Sequence, residues 1–337
     1  MTNFSWKGKH GPLLIAEIGG NHEGNFEYAK KLTQLAIESG ADYVKFQIYT
    51  GDGLVNPIEG ATRNQHFKKF ELSPEQHIEL ARCCKDAGVG YLASVWIPEA
   101  IEWIDPYMDF YKIGSGDMTA YPVIKRTLET QKPLLVSTGL ATEAEVLSVV
   151  NFIRSHDSLY NQSEMLALLQ CTSMYPIPPQ DANLLVMQQL KSLTGCTVGY
   201  SDHTEGMYAL EIAVAMGAEI LEFHFTDERE GKSFRDHKVS LTKDEVQMLI
   251  KKIGEIAKLK GNPLKKPLDI EGEHVISFRR AVYPARDLPV DHVIQEKDLI
   301  VLRPNNGIPA ESYERLIGMT TKKALKKYEK LSIDYFK

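Results

Sequence analysis

The chain has 337 residues, 43% of them hydrophobic and 25% charged, with a net charge of −6. This is the composition of a folded, water-soluble protein: the charge offers no basis for binding nucleic acid or an anionic membrane, and no apolar run approaches the roughly 20 residues of a membrane span. The apolar run near the N-terminus is too short for a signal h-region and is interrupted by Glu17, so a cytoplasmic protein is the expectation, and Cys83, Cys84, Cys171 and Cys196 lack any Cys-x-x-Cys spacing and are expected as reduced thiols.

From residue 13 to 261, short β-rich runs alternate with amphipathic helical stretches, the pattern of parallel strands joined by crossover helices. The strands are "LLIAEIG" (13–19), "YVKFQIY" (43–49), "YLASVW" (91–96), "FYKIGSG" (110–116), "PLLVSTG" (133–139), "LALLQC" (166–171), "TVGYSD" (197–202) and "EILEFHF" (219–225). Eight such units predict an α/β fold, a (β/α)8 TIM barrel over 1–261. Helix punctuation agrees with the spacing: Ser73-Pro74 opens one helix that stops at Gly88, another ends at Gly40, and Thr142 and Thr242 cap two more. The connection over residues 50–72 is far longer than the usual few residues, and on a barrel a long loop of this kind is expected to serve function. Beyond Gly261 the texture changes to a proline- and charge-bearing linker (262–277) and then to short β-like runs, a small second domain over 278–337. At about 60 residues that domain is near the lower limit for independent stability.

Barrel enzymes carry their chemistry at the C-terminal ends of the strands. Every strand end here is polar: Glu17 with Asn21 and His22, Lys45 with Gln47, Ser94, Lys112 with Ser115 and Asp117, Ser137 with Thr138, Thr172 with Ser173 and Tyr175, Ser201 with Asp202 and His203, and His224. Alternation turns Lys45 and Gln47 inward and Val44, Phe46 and Ile48 toward the helices. An inward lysine is costly without an anion, so Lys45 and Lys112 point either to a bound multiply charged anion or to structural carboxylates such as Glu17. Serines 94, 115, 137 and 201, beside Gly114, Gly116 and Gly139, would complete a phosphate or carboxylate cradle. His203 and His224 end adjacent strands about 4.8 Å apart, close enough to share a metal, although each alone could be a satisfied core histidine. Imidazole ligands by themselves favour zinc or iron. Asp202 either orients His203 or supports its loop, and His22, His66 and His237 are read as loop histidines.

The segments "IAEIGGNHEG" (15–24), "VKFQ" (44–47), "YKIGSGD" (111–117), "STG" (137–139), "CTSMYP" (171–176), "GYSDHT" (199–204) and "HFT" (224–226) resemble the sialic acid synthase family, in the family's order and across nearly the whole chain. The tail, with "LRPNNGIP" (302–309), resembles that family's antifreeze-like domain. The resemblance implies condensation of phosphoenolpyruvate with an N-acetylmannosamine-type sugar to give a nonulosonic acid for surface polysaccharide. It implies that Lys45, Ser94, Lys112, Ser115, Ser137, Ser173 and Ser201 hold phosphoenolpyruvate, and that His203 and His224 bind a divalent metal, manganese or magnesium. It assigns the sugar or the attacking water to Glu17, Gln47, Asp117, Tyr175 and Asp236. Arg303 would grip the sugar's N-acyl group from the neighbouring chain of a domain-swapped homodimer.

Four places depart from the family pattern. Ser94 stands where threonine is usual, Ser173 where asparagine is, and Asp117 where glutamate is, while "KSFRDHKVSL" (232–241) replaces the more usual Gly-Pro-Asp around Asp236. These changes leave the phosphate cradle and open the question of the sugar. Two rivals stay in view: a metal-dependent aldolase or deoxy-sugar-acid synthase on the same barrel, and a carbohydrate- or ice-binding tail on an inert barrel.

Overall fold

The computed structural model describes residues 4–337. Eight parallel strands, β1 (Gly11–Glu17), β2 (Tyr43–Ile48), β3 (Gly90–Val95), β4 (Tyr111–Ile113), β5 (Leu134–Ser137), β6 (Leu166–Gln170), β7 (Thr197–Asp202) and β8 (Ile220–His224), pair in sequence order. β8 pairs back onto β1, from Leu13 opposite Ile220 to Glu17 opposite His224, and so closes the barrel. A short antiparallel strand, Lys7–Gly8, folds against the start of β1.

The intervening helices are α1 (Phe26–Ser39), α2 (Gly51–Leu54), α3 (Ala61–Phe70), α4 (Pro74–Asp86), α5 (Ile101–Ile104), α6 (Tyr121–Leu128), α7 (Glu143–His156), α8 (Val186–Thr194), α9 (Tyr208–Ala215) and α10 (Lys243–Lys260). Ser73 caps α4 and Thr142 caps α7, each in a reciprocal capping box, and such a cap contributes about 1 kcal/mol. Outward strand residues Val44, Phe46 and Ile48 are buried against this helical layer, which leaves the opposite parity for the barrel interior. At Gly199 the β8 backbone comes so close that a Cβ would collide with the Ile220 carbonyl oxygen, so only glycine lets β7 and β8 meet there.

The long connection after β2 is not irregular chain, as its composition suggests, but two helices, α2 and α3. The α3 sequence "ATRNQHFKKF" is too polar to show a helical stripe, and its order comes from specific bonds instead. Asn64 donates from its amide to the Gly51 and Val55 carbonyls and to Asp52, tying α3 back to α2.

The described chain divides at Gly261, and the second unit, Asn262–Lys337, has its own core. It contains α11 (His274–Ser277), the antiparallel pair β9 (Ala281–Pro284) and β10 (Leu299–Leu302), and α12 (Tyr313–Leu316). Val282, Leu288, Ile294, Leu316, Leu325 and Phe336 are among the buried residues at its centre. Residues 262–272 are exposed throughout. Among the described residues no helix is long and apolar enough to cross a membrane.

Candidate functional site

Strand register brings the inward polar residues of six strands to one end of the barrel. Glu17 lies opposite Lys45 on one side and His224 on the other, Gln47 opposite Ser94, Ser94 opposite Lys112, and Ser201 opposite Glu222. All of these except Gln47 are buried, and Gln47 is half-buried.

The two lysines face carboxylates. Lys45 Nζ donates to Glu17 Oε2 at 2.7 Å and stands 3.4 Å from Glu222 Oε2, while Lys112 Nζ donates to Glu222 Oε1 at 2.9 Å. Ser201 Oγ donates to the same Glu222 oxygen at 3.0 Å, and Gln47 donates to Glu17 Oε1 at 2.8 Å. Of the two sequence readings, the protein alone thus shows the second, with Glu222 as well as Glu17 facing the lysine pair. Burial of Glu17 pushes its carboxyl above the ordinary range in spite of Lys45. Burial acts the same way on Glu222, but Lys112 and Lys45 outweigh it and hold that carboxylate ionised.

Glu222 is the chief residue that sequence reasoning missed. It sits two positions before His224 on β8 and therefore shares its inward parity, which was the available signal. Trp96 was missed in the same way, two positions after Ser94; its buried indole Nε1 has no partner.

Beside the lysines lies a small-residue hollow. A Cβ at Gly139 would stand 2.5 Å from Ser173 Oγ, 2.7 Å from Ser115 Oγ and 2.9 Å from Cys171 Sγ, and the Gly139 N–H donates to Ser115 Oγ at 3.1 Å. Ser137, at the end of the same strand, has a buried hydroxyl with no hydrogen-bond partner. Structure thus brings Ser115 and Ser173 together, and adds Cys171, which had been read only as a plain thiol.

His203 and His224 stand side by side with ring centroids 5.3 Å apart, and Tyr175 packs on both, 4.1 Å from His203 and 5.5 Å from His224. Nδ1 of His203 is 2.7 Å from the Thr172 carbonyl oxygen. A carbonyl can only accept, so this nitrogen carries the proton and Nε2 keeps its lone pair. Nδ1 of His224 is buried without a hydrogen-bond partner, and Asp236 Oδ2 is 3.9 Å away. Burial drives both imidazoles down to about 3, so both are neutral at pH 7. Asp202 resolves as a loop support: it accepts from Tyr200 Oη and from the Thr204 N–H and hydroxyl, while Thr172 orients His203.

Asp117 is half-buried at the end of β4, and burial raises its carboxyl to about 6. Asp236 is buried and accepts from Arg235 Nε at 3.1 Å. Arg303 belongs to the second unit, where its guanidinium lies 5.5 Å from the Phe278 ring. Of the three histidines read as loop residues, His22 does lie in the turn between β1 and α1, where it is buried, whereas His237 is buried in a short 3-10 turn and bonds Thr226 and Glu23. His66 is on α3, stacked 6.0 Å from Phe234, which also packs 5.1 Å from Phe70.

Comparison with known proteins agrees with this fold. A model described as the NeuB family matches residues 32–265, and a SAF domain model matches residues 279–331. An N,N'-diacetyllegionaminic acid synthase of Campylobacter jejuni is 33% identical over 94% of this chain and 98% of its own length. The human N-acetylneuraminate-9-phosphate synthase is 30% identical over 92% of this chain and 89% of its own. The crystal structure of an N-acetylneuraminic acid (sialic acid) synthetase from Leptospira borgpetersenii superposes with a TM-score of 0.72 at 26% identity, covering 78% of this chain and 90% of that one. With a closed eightfold barrel, a polar mouth built from its strand ends and a separate C-terminal unit, the chain belongs to the NeuB family of sialic acid synthases and carries a SAF domain.

Proposed function

We propose that this chain condenses phosphoenolpyruvate with the open-chain form of an N-acetylmannosamine-type sugar, releasing phosphate and giving a nonulosonic acid. The observation that carries this reading is the set of unsatisfied groups at the barrel mouth: Ser137 Oγ and His224 Nδ1 are buried without partners, beside a serine-lined hollow and two buried lysines. Buried polar atoms are normally paired, so a group of orphans at one place marks where a ligand completes the bonding.

Lys45 and Lys112 would hold the anionic substrate, with Ser94, Ser115, Ser137, Ser173 and Ser201 donating to its phosphate and carboxylate oxygens. The lysines can do this without leaving Glu222, because each ammonium has three donors. Attack by C3 of phosphoenolpyruvate on the sugar's aldehyde carbon forms the new bond. Water adds at C2, and loss of phosphate from C2 leaves the keto acid. Glu17, kept partly protonated by burial, and Asp117, at about 6, are the two carboxyls suited to carry the water's proton. Gln47, Tyr175 and Asp236 would orient the sugar.

The histidine pair fits a divalent cation. Two neutral imidazoles offer lone pairs, His203 through Nε2. Two protein ligands leave the remaining positions to water and substrate, the character of a catalytic rather than a structural site. The ion, manganese or magnesium by the family resemblance, would supply a Lewis acid for the aldehyde oxygen. In the same proposal the active form is a homodimer in which Arg303 serves the sugar site of a second copy. The test is phosphate release by the purified chain with phosphoenolpyruvate, Mn²⁺ and a panel of mannosamine-type sugars, with mass spectrometry of the product. Release that requires sugar and metal supports the reading; release from phosphoenolpyruvate alone, or consumption of phosphorylated aldoses lacking an N-acyl group, refutes it.

A further inference from the structure

Resting on the condensation just proposed, we infer that Arg235 determines which acceptor is used, and that it selects a sugar bearing an oxyanion, a carboxylate or a phosphate. Its guanidinium lies over the Tyr175 ring at 4.7 Å, and Tyr175 in turn packs 4.1 Å from His203. Its Nε donates to Asp236, whose other oxygen is 3.9 Å from His224. The guanidinium is thus fixed on a face and at an edge by two residues that both touch the histidine pair.

Only Nε is engaged. The Nη groups make no hydrogen bond to any described residue, and the side chain is 67% exposed. A planar fork held in place with free donors suits bidentate binding of carboxylate or phosphate. Asp236 neutralises the arginine only at one corner and, being acceptor-only when ionised, cannot bind an oxyanion itself.

The loop that presents Arg235 is held at several points, so the fork is pre-organised. Asp227 accepts from Tyr28 Oη at 2.5 Å and Lys31 at 2.8 Å, and Arg229 donates to both oxygens of Glu245 at 2.6 and 2.7 Å. Ser240 Oγ donates to the Asp236 carbonyl at 2.6 Å. The neighbouring Phe234 packs on Phe70 and His66 of α3, which joins this loop to the long connection after β2. Phe234-Arg235 stands where the family resemblance places Gly-Pro, a pair that offers neither the aromatic wall nor the cation. A guanidinium chosen only to steady Tyr175 would not need free donors.

The experiment compares three acceptors, N-acetylmannosamine, its 6-phosphate and N-acetylmannosaminuronate, at saturating phosphoenolpyruvate, in the native protein and in the Arg235→Met and Arg235→Lys variants. The native protein should favour a charged acceptor, and whichever of the two is preferred identifies phosphate or carboxylate as the group read. In Arg235→Met the kcat/KM ratio of charged to neutral acceptor should fall about 10- to 100-fold, the worth of a charge-assisted hydrogen-bond pair, with Arg235→Lys between. An equal loss on all three sugars would overturn the inference and leave Arg235 as a support for Tyr175. Calorimetric binding of the same sugars separates this inference from the reaction it rests on. Arg235-dependent binding of a charged sugar without turnover would sink the condensation alone, and turnover of all three without an Arg235-dependent preference would sink the specificity alone.

Discussion

In the second unit the fully buried Asp298 accepts from Arg286 Nε and Nη2, from His292 Nε2 and from the Gln295 N–H, so both its oxygens are used. At the barrel mouth the pattern is reversed: Glu222 Oε2, Ser137 Oγ and His224 Nδ1 are buried with no hydrogen-bond partner. Titration follows the same division. Burial alone would raise the Asp298 carboxyl, but His292, the Gln295 N–H and Arg286 bring it down to about 2, whereas burial wins at Glu17 and at Asp117. The charge buried in the second unit is closed off by its neighbours, whereas the polar groups buried where the chemistry is proposed keep bonding capacity in reserve.

Substitutions can break this contrast from either side. Alanine at His203 removes an imidazole whose Nε2 lone pair has no protein partner, so turnover should fall about 10³-fold, while loss of the Thr172 bond should cost only about 1–3 kcal/mol of stability. Calorimetric Mn²⁺ titration and thermal unfolding of the variant check both halves, and retained metal binding would remove His203 from the metal site. Glu222→Leu strips the shared carboxylate from Lys45 and Lys112 and leaves buried positive charge, which should cost about 3–5 kcal/mol in urea unfolding. Gly139→Ala fills the hollow between Ser115 and Ser173, and the KM for phosphoenolpyruvate should rise about tenfold or more, with the KM for sugar little changed. Steady-state kinetics with each substrate varied in turn measures the split.

The smallest effect belongs to acid. The Asp298 carboxyl is lower in the fold than its ordinary 3.8, so it contributes stability that is fully present above about pH 4 and is lost as pH falls toward about 2. Hydrogen exchange of the full chain should show β9 and β10 losing protection across that window, and Asp298→Asn should flatten the response.

The barrel was legible because its signals are local: strand runs bounded by glycine, caps such as Ser73-Pro74, and polar residues at strand ends. Site residues on the inward parity could be named for the same reason, and Glu222 and Trp96 lay on that parity too, two positions from residues already singled out. Other features were out of reach. The helix α3 owes its order to the bonds of Asn64, and the hollow at Gly139 gathers side chains from the turn after β4 and the loop after β6; neither leaves a periodic trace. Charge pairing was equally hidden, since Glu222 meets Lys112 only after 110 residues of chain.

A crystal of the protein grown with phosphoenolpyruvate and Mn²⁺ tests the central claim most directly. The account predicts an anomalous peak bound by His203 and His224, and an anion on Lys45 and Lys112 with Ser137 Oγ among its donors. An anion or metal bound elsewhere, with Ser137 and His224 still unpartnered, would contradict it.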